Sequence, residues 1–336
     1  MQLFGKDLSR DVAIIAEIGV NHEGDKMAAS RLIELAAASG ADAVKFQTYT
    51  PDRFVAANDA ERLARVTRFA LDSSALRQLA HEAERAGIVL FSTAVTEDTV
   101  PFLAELCPAI KIASGDLTFE PVIRAAAATG KPLIISTGIG SIDEIDRAVS
   151  WVRDEVGEPA LASHLLLMHC VSAYPTPIEQ ANVLSVPFMA QRYGLTIGFS
   201  NHVIGPEACF AAVAVGARVI EVHFTDSKVN RTFRDHALSF EPADFAELVQ
   251  AVRRVAVSLG THDKRPQECE SPLRAATRKG IVAARDLPAG AVLGRDDLMF
   301  ARPATEFAAH ETSAVVGRTL QVALKRGQII PRQGLS

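Results

Sequence analysis

The chain has 336 residues, 48% of them hydrophobic, a formal net charge of −5 and a sequence isoelectric point of about 6.0. It therefore has no overall basic field that would attract nucleic acid or an anionic membrane surface. No stretch approaches the roughly 18 to 20 apolar residues of a membrane span, the amino end does not resemble a secretion signal, and the cysteines show no paired spacing. We therefore expect a reduced, cytoplasmic protein without a nucleic-acid or membrane partner.

Eight apolar, β-rich stretches occur in the first 225 residues, and each runs into polar side chains of types that enzymes use. In chain order the stretches and their polar ends are VAIIAEIGVNH (Glu17, Asn21, His22), DAVKFQTY (Lys45, Gln47), IVLFST (Ser92, Thr93), AIKIASGD (Lys111, Ser114, Asp116), PLIISTG (Ser136, Thr137), HLLLMHCVSAY (His169, Ser172, Tyr174), TIGFSNH (Ser200, His202) and VIEVHFTD (Glu221, His223). Parallel strands buried on both faces read as apolar runs, and barrel enzymes carry their sites at the carboxyl ends of the strands. The repeat predicts an α/β fold, a (β/α)8 TIM barrel with its chemistry on one rim.

Helical patterns separate these stretches. The last helical pattern ends before residue 260, where the composition of the chain changes. Apolar residues recur at spacings of three and four in residues 26–38, 74–85, 96–106, 142–156 and 242–259. The barrel is therefore predicted to span residues 1–260. Residues 261–277, which contain two prolines and little periodicity, indicate a linker. Residues 278–336 show short β-branched runs between turns and predict a small, mostly β domain.

His202 and His223 end consecutive predicted strands at equivalent positions of the rim. A histidine at a strand end is often a hydrogen-bonded structural residue, and that interpretation stays open here. Two imidazoles at neighbouring strand ends also suit zinc, manganese or iron. With only hydroxyl and carboxylate groups beside them, they would form an open site suited to a Lewis acid rather than a closed structural site.

Lys45 and Lys111 each end an apolar strand, where an unpaired ammonium is costly to bury. Each lysine should therefore face a carboxylate of the rim or an anionic ligand. Together with rim hydroxyl groups they could hold a phosphate or phosphoenolpyruvate. A lysine that forms a Schiff base, as in a barrel aldolase, is the alternative. The rim hydroxyl groups belong to Thr93, Ser114, Ser136 and Ser200.

Two carboxylates complete the set of candidates. Glu17 ends the first predicted strand, where a buried carboxylate is usually ion-paired, catalytic or both. Asp235 follows the eighth strand on a predicted loop, where it could be merely solvated.

In order and spacing, these residues resemble the sialic acid synthase family, the N-acetylneuraminate synthases and related synthases of nonulosonic acids and spore-coat polysaccharide. The resemblance covers nearly the whole chain. The motifs that carry it are AEIGVNHEGD, ADAVKFQTY, FSTAVTED, IKIASGDLT, PLIISTGIGSIDEI, HCVSAYPTP, GFSNHVIG, EVHFT and the tail RKGIVAARDLPAGAVL. The tail resembles that family's antifreeze-like (SAF) domain. The resemblance implies a barrel enzyme that condenses phosphoenolpyruvate with the open-chain aldehyde of an N-acylated hexosamine or similar sugar and releases phosphate.

The resemblance also implies roles for individual residues. Glu17 and Asp235 would be catalytic, and His202 and His223 would bind a divalent ion, with manganese the family's usual choice and magnesium or cobalt as alternatives. Phosphoenolpyruvate would contact Lys45, Thr93, Lys111, Ser114, Ser136, Ser172 and Ser200. The sugar would contact Gln47, Tyr174 and, from a neighbouring subunit, Arg302. That last contact requires a domain-swapped homodimer.

Several positions depart from the family pattern. They are Asn201 (usually Asp), Val222 (usually Lys), Ser172 (often Asn), residues 232–236 (TFRDH for PGPDH) and residues 301–304 (ARPA for KRPG). The connection from Lys45 to Thr93, which helps to shape the sugar pocket, is also shorter than is usual in the family. These departures leave open a non-catalytic, sugar-binding relative of the synthases. The lysines at the strand ends leave open a Schiff-base aldolase on the same barrel.

Overall fold

The computed structural model describes residues 1–336 and divides into two compact units, Met1–Gly260 and Thr261–Ser336. The first unit contains a closed barrel of eight parallel strands, with the last strand paired to the first. The strands are β3 (Ala13–Gly19), β4 (Ala43–Thr48), β5 (Val89–Ala94), β6 (Ile110–Ile112), β7 (Leu133–Ser136), β8 (Leu165–Cys170), β9 (Thr196–Asn201) and β10 (Val219–His223). All eight predicted strands are present, and the predicted (β/α)8 fold is confirmed.

Twelve helices belong to the first unit, and most of them pack apolar faces against the outside of the barrel. They are α1 (Lys26–Ala38), α2 (Pro51–Phe54), α3 (Ala60–Phe69), α4 (Ser73–Arg85), α5 (Val100–Leu106), α6 (Glu120–Ala128), α7 (Ile142–Val156), α8 (Glu158–His164), α9 (Ser185–Tyr193), α10 (Glu207–Ala214), α11 (Asp235–Leu238) and α12 (Pro242–Ser258). Helix α7 begins with a capping box between Ser141 and Glu144, and α12 begins with Pro242 in its first turn. None of the helices combines the length and apolar character needed to cross a lipid bilayer.

A short antiparallel ladder precedes the barrel, formed by β1 (Gln2–Leu3) and β2 (Lys6–Asp7). In the turn between them, the Phe4 ring packs 4.8 Å from the ring of Phe91 in β5. This turn therefore joins the hydrophobic core of the barrel at its amino-terminal end.

The register of the strands sets polar residues side by side at the carboxyl ends. Glu17 is paired with Lys45 on one side and with His223 on the other. Glu221 is paired with Ser200, two residues before His223 on the same strand. Residues two apart on a strand face the same side, so these polar groups converge on the inside of the barrel.

Two helices in the connection from β4 to β5 form a cover on the same rim. The apolar side of α3 belongs to a small hydrophobic cluster that is separate from the main core. Its buried members are Val20, Tyr49, Val55, Val66, Phe69 and Val95. The Tyr49 hydroxyl also donates a hydrogen bond of 3.1 Å to the carbonyl oxygen of Val66. Helix α3 is thereby fixed beside the polar ends of the strands.

The second unit has its own small core and little regular structure. Its strands β11 (Gly280–Ala283) and β12 (Leu298–Ala301) pair antiparallel, and further isolated bridges tie the turns together. Residues such as Ile281, Val315 and Ile330 are fully buried at its centre. The segment 261–277, which the sequence indicated to be a linker, contains the exposed helix α13 (Ser271–Thr277). Residues 289–290 and 326–327 form turns, as the sequence indicated, and the β-branched runs beside them pair mainly through isolated bridges rather than longer strands.

Candidate active site

A cavity of about 820 Å³ opens at the carboxyl ends of the barrel strands. It collects thirteen of the fourteen candidate residues of the sequence: Glu17, Lys45, Gln47, Thr93, Lys111, Ser114, Ser136, Ser172, Tyr174, Ser200, His202, His223 and Asp235. The fourteenth, Arg302, lies in the second unit, where it is exposed at the end of β12. The volume is within the usual range of small-molecule sites, about 300 to 1,000 Å³.

A buried lysine joins two buried carboxylates at the floor of this cavity. Lys45 Nζ lies 3.1 Å from Glu17 Oε2 and 3.4 Å from Glu221 Oε2, and it donates to Thr93 Oγ1 at 3.2 Å. The two carboxylate oxygens lie at ion-pair distance but accept no hydrogen bond of good geometry. Each therefore keeps lone pairs available to a substrate or a proton. Ser200 Oγ donates to Glu221 Oε1 at 2.9 Å.

The environments of the two carboxylates move their pKa values in opposite directions. Burial raises the pKa of Glu17 to about 7, against the opposing effect of Lys45. Burial would also raise the pKa of Glu221, but Lys45, Lys111 and the hydrogen bond from Ser200 lower it to about 2. Groups whose pKa values are pushed apart in this way are typical of acid and base partners in catalysis. Glu17 can thus carry a proton near neutral pH while Glu221 stays ionised.

Lys111 lies on the opposite wall and has no carboxylate within ion-pair distance. Its Nζ donates to Ser136 Oγ at 2.5 Å and to the carbonyl oxygen of Ile112 at 3.0 Å. Burial lowers the pKa of this ammonium to about 8, and Glu221 partly opposes that effect. A buried ammonium without a direct counter-ion is a strong position for an anionic ligand.

The loop after β7 approaches the same wall very closely. A side chain at Gly138 would place its Cβ 2.3 Å from Ser172 Oγ and 2.9 Å from Ser114 Oγ, so only glycine fits there. The Gly138 N–H donates to Ser114 Oγ at 3.0 Å, and Ser114 also bonds to Cys170 Sγ at 3.0 Å. The hydroxyl groups of Ser114, Ser136 and Ser172 therefore line the cavity together with Lys111.

His202 and His223 meet at the rim, with ring centres 5.4 Å apart. Burial lowers the pKa of each imidazole to about 4, so both rings are neutral and able to act as ligands at physiological pH. His202 Nδ1 is 2.7 Å from the carbonyl oxygen of Val171, which orients the ring, and His223 Nδ1 is buried without a hydrogen-bond partner.

These two histidines would supply only part of the ligands that a divalent ion needs. No group of three or more His, Cys, Asp or Glu side chains encloses a possible metal position. The remaining ligands would have to be water or substrate, as in an open catalytic site. The residues present therefore fit such an ion, and they do not fit a closed structural metal site.

Asp235 and His236 are buried, whereas the sequence left Asp235 on a loop that could be solvated. They begin the single-turn helix α11, and burial raises the pKa of Asp235. Arg234 Nε donates to Asp235 Oδ1 at 3.1 Å. The guanidinium of Arg234 also lies 4.9 Å from the ring centre of Tyr174, whose ring is 4.1 Å from that of His202. Tyr174, Arg234 and Asp235 thus form one wall of the cavity next to the two imidazoles.

The structure also explains two departures from the family pattern. The Asn201 amide donates to the carbonyl oxygens of Val203 at 2.9 Å and Gly205 at 3.3 Å, so it holds the loop that follows His202. An aspartate could not make these contacts because it has no N–H. Val222 points into the apolar core and leaves no charge there.

Two groups in the cavity received no role from the sequence. Glu221 was noted only as the polar end of a strand, and its spacing of two from His223 was the signal that it faces the same cavity. The arginines of α3, which also line the cavity, lie in a connection whose helix was not predicted. Gln47, predicted to bind sugar, donates from Nε2 to Glu17 Oε1 at 3.4 Å.

Comparison with known proteins shows which family the chain belongs to. The NeuB family model matches residues 32–264, and the SAF domain model matches residues 278–335. The N,N'-diacetyllegionaminic acid synthase of Legionella pneumophila is 36% identical over 328 residues, which cover 94% of this chain and 92% of that protein.

Solved structures agree as well. The sialic acid synthetase of Leptospira borgpetersenii, in complex with citrate, has a TM-score of 0.73 at 32% identity and covers 78% of this chain and 90% of its own. A putative spore coat polysaccharide biosynthesis protein E from Chromobacterium violaceum has a TM-score of 0.80 at 26% identity. The match covers 97% of this chain and 100% of that protein. The resemblance to sialic acid synthases is confirmed, and this chain belongs to the NeuB family, with a SAF domain after its barrel.

Proposed function

We propose that this member of the family is a metal-dependent synthase that condenses phosphoenolpyruvate with the open-chain aldehyde of an N-acylated hexosamine. The products would be a nonulosonic keto acid and phosphate. The observation that carries the proposal is the buried charge cluster of Glu17, Lys45, Glu221 and Lys111, which faces a two-substrate cavity beside two neutral imidazoles. The names of the similar proteins, which include legionaminic, pseudaminic and sialic acid synthases, support a sugar-acid product.

Phosphoenolpyruvate carries a carboxylate and a phosphate, and the cavity floor supplies two buried ammonium groups on different walls. Lys111 has no carboxylate partner and lies beside serine hydroxyl groups of the cavity, which favours phosphate there. Lys45, already paired with two carboxylates, would exchange part of that pairing for the substrate carboxylate. The hydroxyl donors nearest these positions belong to Thr93, Ser114, Ser136, Ser172 and Ser200.

The proton steps can be assigned to the carboxylates. Carbon 3 of phosphoenolpyruvate attacks the aldehyde carbon, and the aldehyde oxygen takes up a proton as the new C–C bond forms. Glu17 can supply that proton because burial raises its pKa to about 7. Glu221 stays ionised and would stabilise the positive charge on carbon 2. The Glu17 carboxylate left by the first transfer would take a proton from the water that adds there. Phosphate then leaves with the proton of the carbon-2 hydroxyl as the keto group forms.

His202 and His223 would hold the divalent ion, with manganese as the first choice and magnesium or cobalt as alternatives. Such an ion, when bound, would polarise the aldehyde oxygen as a Lewis acid. The hydrogen bond from His202 to the carbonyl oxygen of Val171 fixes the tautomer, so that Nε2 is free to bind metal.

The acceptor sugar would lie against Tyr174, Gln47 and Asp235, which line the outer part of the same cavity. We also propose that Arg302 reaches the acceptor from a partner subunit in a domain-swapped homodimer. Mixing inactive Glu17→Gln protein with inactive Arg302→Ala protein tests this, since a swapped heterodimer would contain one intact site. If the subunits exchange and no activity returns, the role of Arg302 is wrong.

A screen for phosphate release tests the reaction itself. Phosphoenolpyruvate is supplied with mannosamine-derived, bacillosamine-derived and simple aldose acceptors, with and without manganese. We expect phosphate release that requires both an acylated amino sugar and the divalent ion. Sugar binding without phosphate release from any acceptor would support the non-catalytic alternative instead.

One observation favours a second function. The lowered pKa of Lys111 is typical of lysines that form Schiff bases, so a barrel aldolase is the second candidate. Borohydride reduction in the presence of pyruvate or an aldehyde sugar would trap a covalent adduct on Lys111 only in that case.

A further inference from the structure

Three arginines of helix α3 line the outer part of the cavity on the side opposite to the barrel floor. They are Arg62, Arg65 and Arg68, spaced three residues apart on one helix of ten residues. Like charges at this spacing repel one another and destabilise a helix slightly. The three charges therefore lower the stability of the helix slightly in the free protein. Because the three side chains are exposed, packing of the fold does not require arginine at these positions.

These side chains form no ion pair with a carboxylate. Other arginines of the barrel unit do so: Arg53 pairs with Glu97 and Asp98, and Arg77 pairs with Glu105 at 3.0 Å. Two of the α3 guanidiniums instead lie over aromatic rings, Arg62 at 5.4 Å from the Phe54 ring centre and Arg68 at 4.8 Å from that of Phe69. Stacking limits their motion and leaves their N–H donors unused by the protein.

Helix α3 is also held firmly at its place on the rim. Val66 and Phe69 are buried in the separate hydrophobic cluster, and the Phe69 ring meets the Phe233 ring edge-on at 5.4 Å. Gly24, with φ of +86°, allows the end of the helix to approach, because a Cβ there would lie 2.1 Å from the carbonyl oxygen of Arg68. The helix from which the three arginines project is thus fixed on the rim before any ligand arrives.

We infer that the α3 arginines bind a phosphate monoester on the terminal carbon of the acceptor sugar, so that the acceptor is an N-acylhexosamine phosphate. Guanidinium groups match phosphate oxygens with paired N–H donors. In an open-chain acceptor the aldehyde must reach the floor of the cavity, which leaves the far end of the carbon chain toward the rim. That is the part of the cavity that α3 lines.

The inference rests on the proposed function and adds the charge of the acceptor to it. Phosphoenolpyruvate is the other anion that could meet these arginines, but its cationic partners, Lys45 and Lys111, are buried on β4 and β6. The α3 arginines belong to a different wall and would remain unpaired once that substrate is bound.

The experiment compares two acceptors, N-acetylmannosamine and its 6-phosphate, in the full-length protein with phosphoenolpyruvate and manganese. Keto acid formation is measured by mass spectrometry, so that phosphate retained on the product is seen directly. The variant is Arg65→Gln/Arg68→Gln, which keeps side-chain length and polarity but removes two charges. The matched control is Arg77→Gln, whose guanidinium is paired with Glu105 on the outside of the barrel.

We expect the wild type to favour the phosphorylated acceptor in kcat/KM by at least about 10-fold, and the double variant to reduce this ratio by about 10-fold or more. The control should keep the wild-type ratio, and the KM for phosphoenolpyruvate should not change in the double variant. A wild-type preference for the neutral sugar, or a preference that survives in the double variant, would overturn the inference and leave the proposed function intact. A double variant in which only the KM for phosphoenolpyruvate rises would also overturn it, because the arginines would then attract that substrate. No keto acid from either sugar or from the wider acceptor panel would refute the proposed function itself.

Discussion

Replacing Lys45 by Met should destabilise the barrel strongly at alkaline pH and much less at acidic pH. The Lys45 ammonium separates Glu17 from Glu221, and the exposed fraction of each of the three side chains is only 4–5%. Met keeps the length and apolar contacts of the lysine stem but leaves the two carboxylates without their shared cation. Removing one partner of a buried ion pair costs about 3 to 5 kcal/mol, which corresponds to roughly 10 °C in Tm for a unit of this size.

The pH dependence follows from Glu17. Burial already raises its pKa from 4.5 to about 7 in the wild type, and loss of the ammonium must raise it further. A carboxyl group whose folded pKa exceeds its unfolded pKa binds a proton on folding. The variant therefore keeps most of its stability below the unfolded pKa of 4.5 and loses it as the pH rises through 7 and above.

Urea denaturation at acidic and alkaline pH measures this effect. Trp151, the only tryptophan of the chain, lies in α7 and reports unfolding of the barrel unit by fluorescence. Lys6→Met is the matched control, because its ammonium lies 3.2 Å from Asp42 but is 32% exposed, and such pairs contribute at most about 1 kcal/mol. The double variant Lys45→Met/Glu17→Gln should regain most of the stability at alkaline pH. Equal stability of Lys45→Met and wild type at alkaline pH, or no rescue by Glu17→Gln, would refute the reasoning.

Of three further predictions, two concern the same cavity and one concerns the loop that follows His202. Glu17→Gln should lower kcat by about 10² while the barrel still folds, because Lys45 keeps Glu221 as a counter-ion, and a folded variant with near-normal kcat would exclude proton transfer by Glu17. His202→Ala should abolish the stimulation of turnover when manganese is added back after chelation; an unchanged titration curve would argue against the metal site. Asn201→Asp should lower the free energy of unfolding by about 1 to 3 kcal/mol, because a carboxylate cannot donate to the Val203 and Gly205 carbonyl oxygens, and an unchanged thermal denaturation curve would contradict this.

The fold could be predicted because the eight strands repeat one simple pattern. An apolar run such as PLIIS or HLLLMHC is buried on both faces of a parallel strand, and its polar end must lie at the rim. The shortest strand of the barrel, Ile110–Ile112, was recognised by the same pattern, although it has only three residues. A repeated pattern of this kind indicates which residues form strands and which are buried, and these two properties are enough to predict a barrel.

The ion pairs inside the site could not be predicted, because they depend on the register of neighbouring strands and on how deeply each side chain is buried. The sequence allowed Lys45 either a carboxylate or an anionic ligand, and the structure shows it between Glu17 and Glu221. It also left Asp235 possibly solvated, whereas a one-turn helix buries it. Helix α3 did have a weak signal, since Leu63, Val66 and Phe69 recur at a spacing of three, but the segment is short and rich in charge.

The most direct test of the account is the stoichiometry of the reaction in wild type and in Lys111→Met. In the wild type, phosphate release should require both phosphoenolpyruvate and an acylated hexosamine, and each phosphate should accompany one molecule of keto acid. Lys111→Met should raise the KM for phosphoenolpyruvate and lower kcat/KM by about 10-fold or more, because the ammonium on that wall has no carboxylate partner and is available to the substrate. Phosphate release without keto acid, or unchanged phosphoenolpyruvate kinetics in Lys111→Met, would contradict the account.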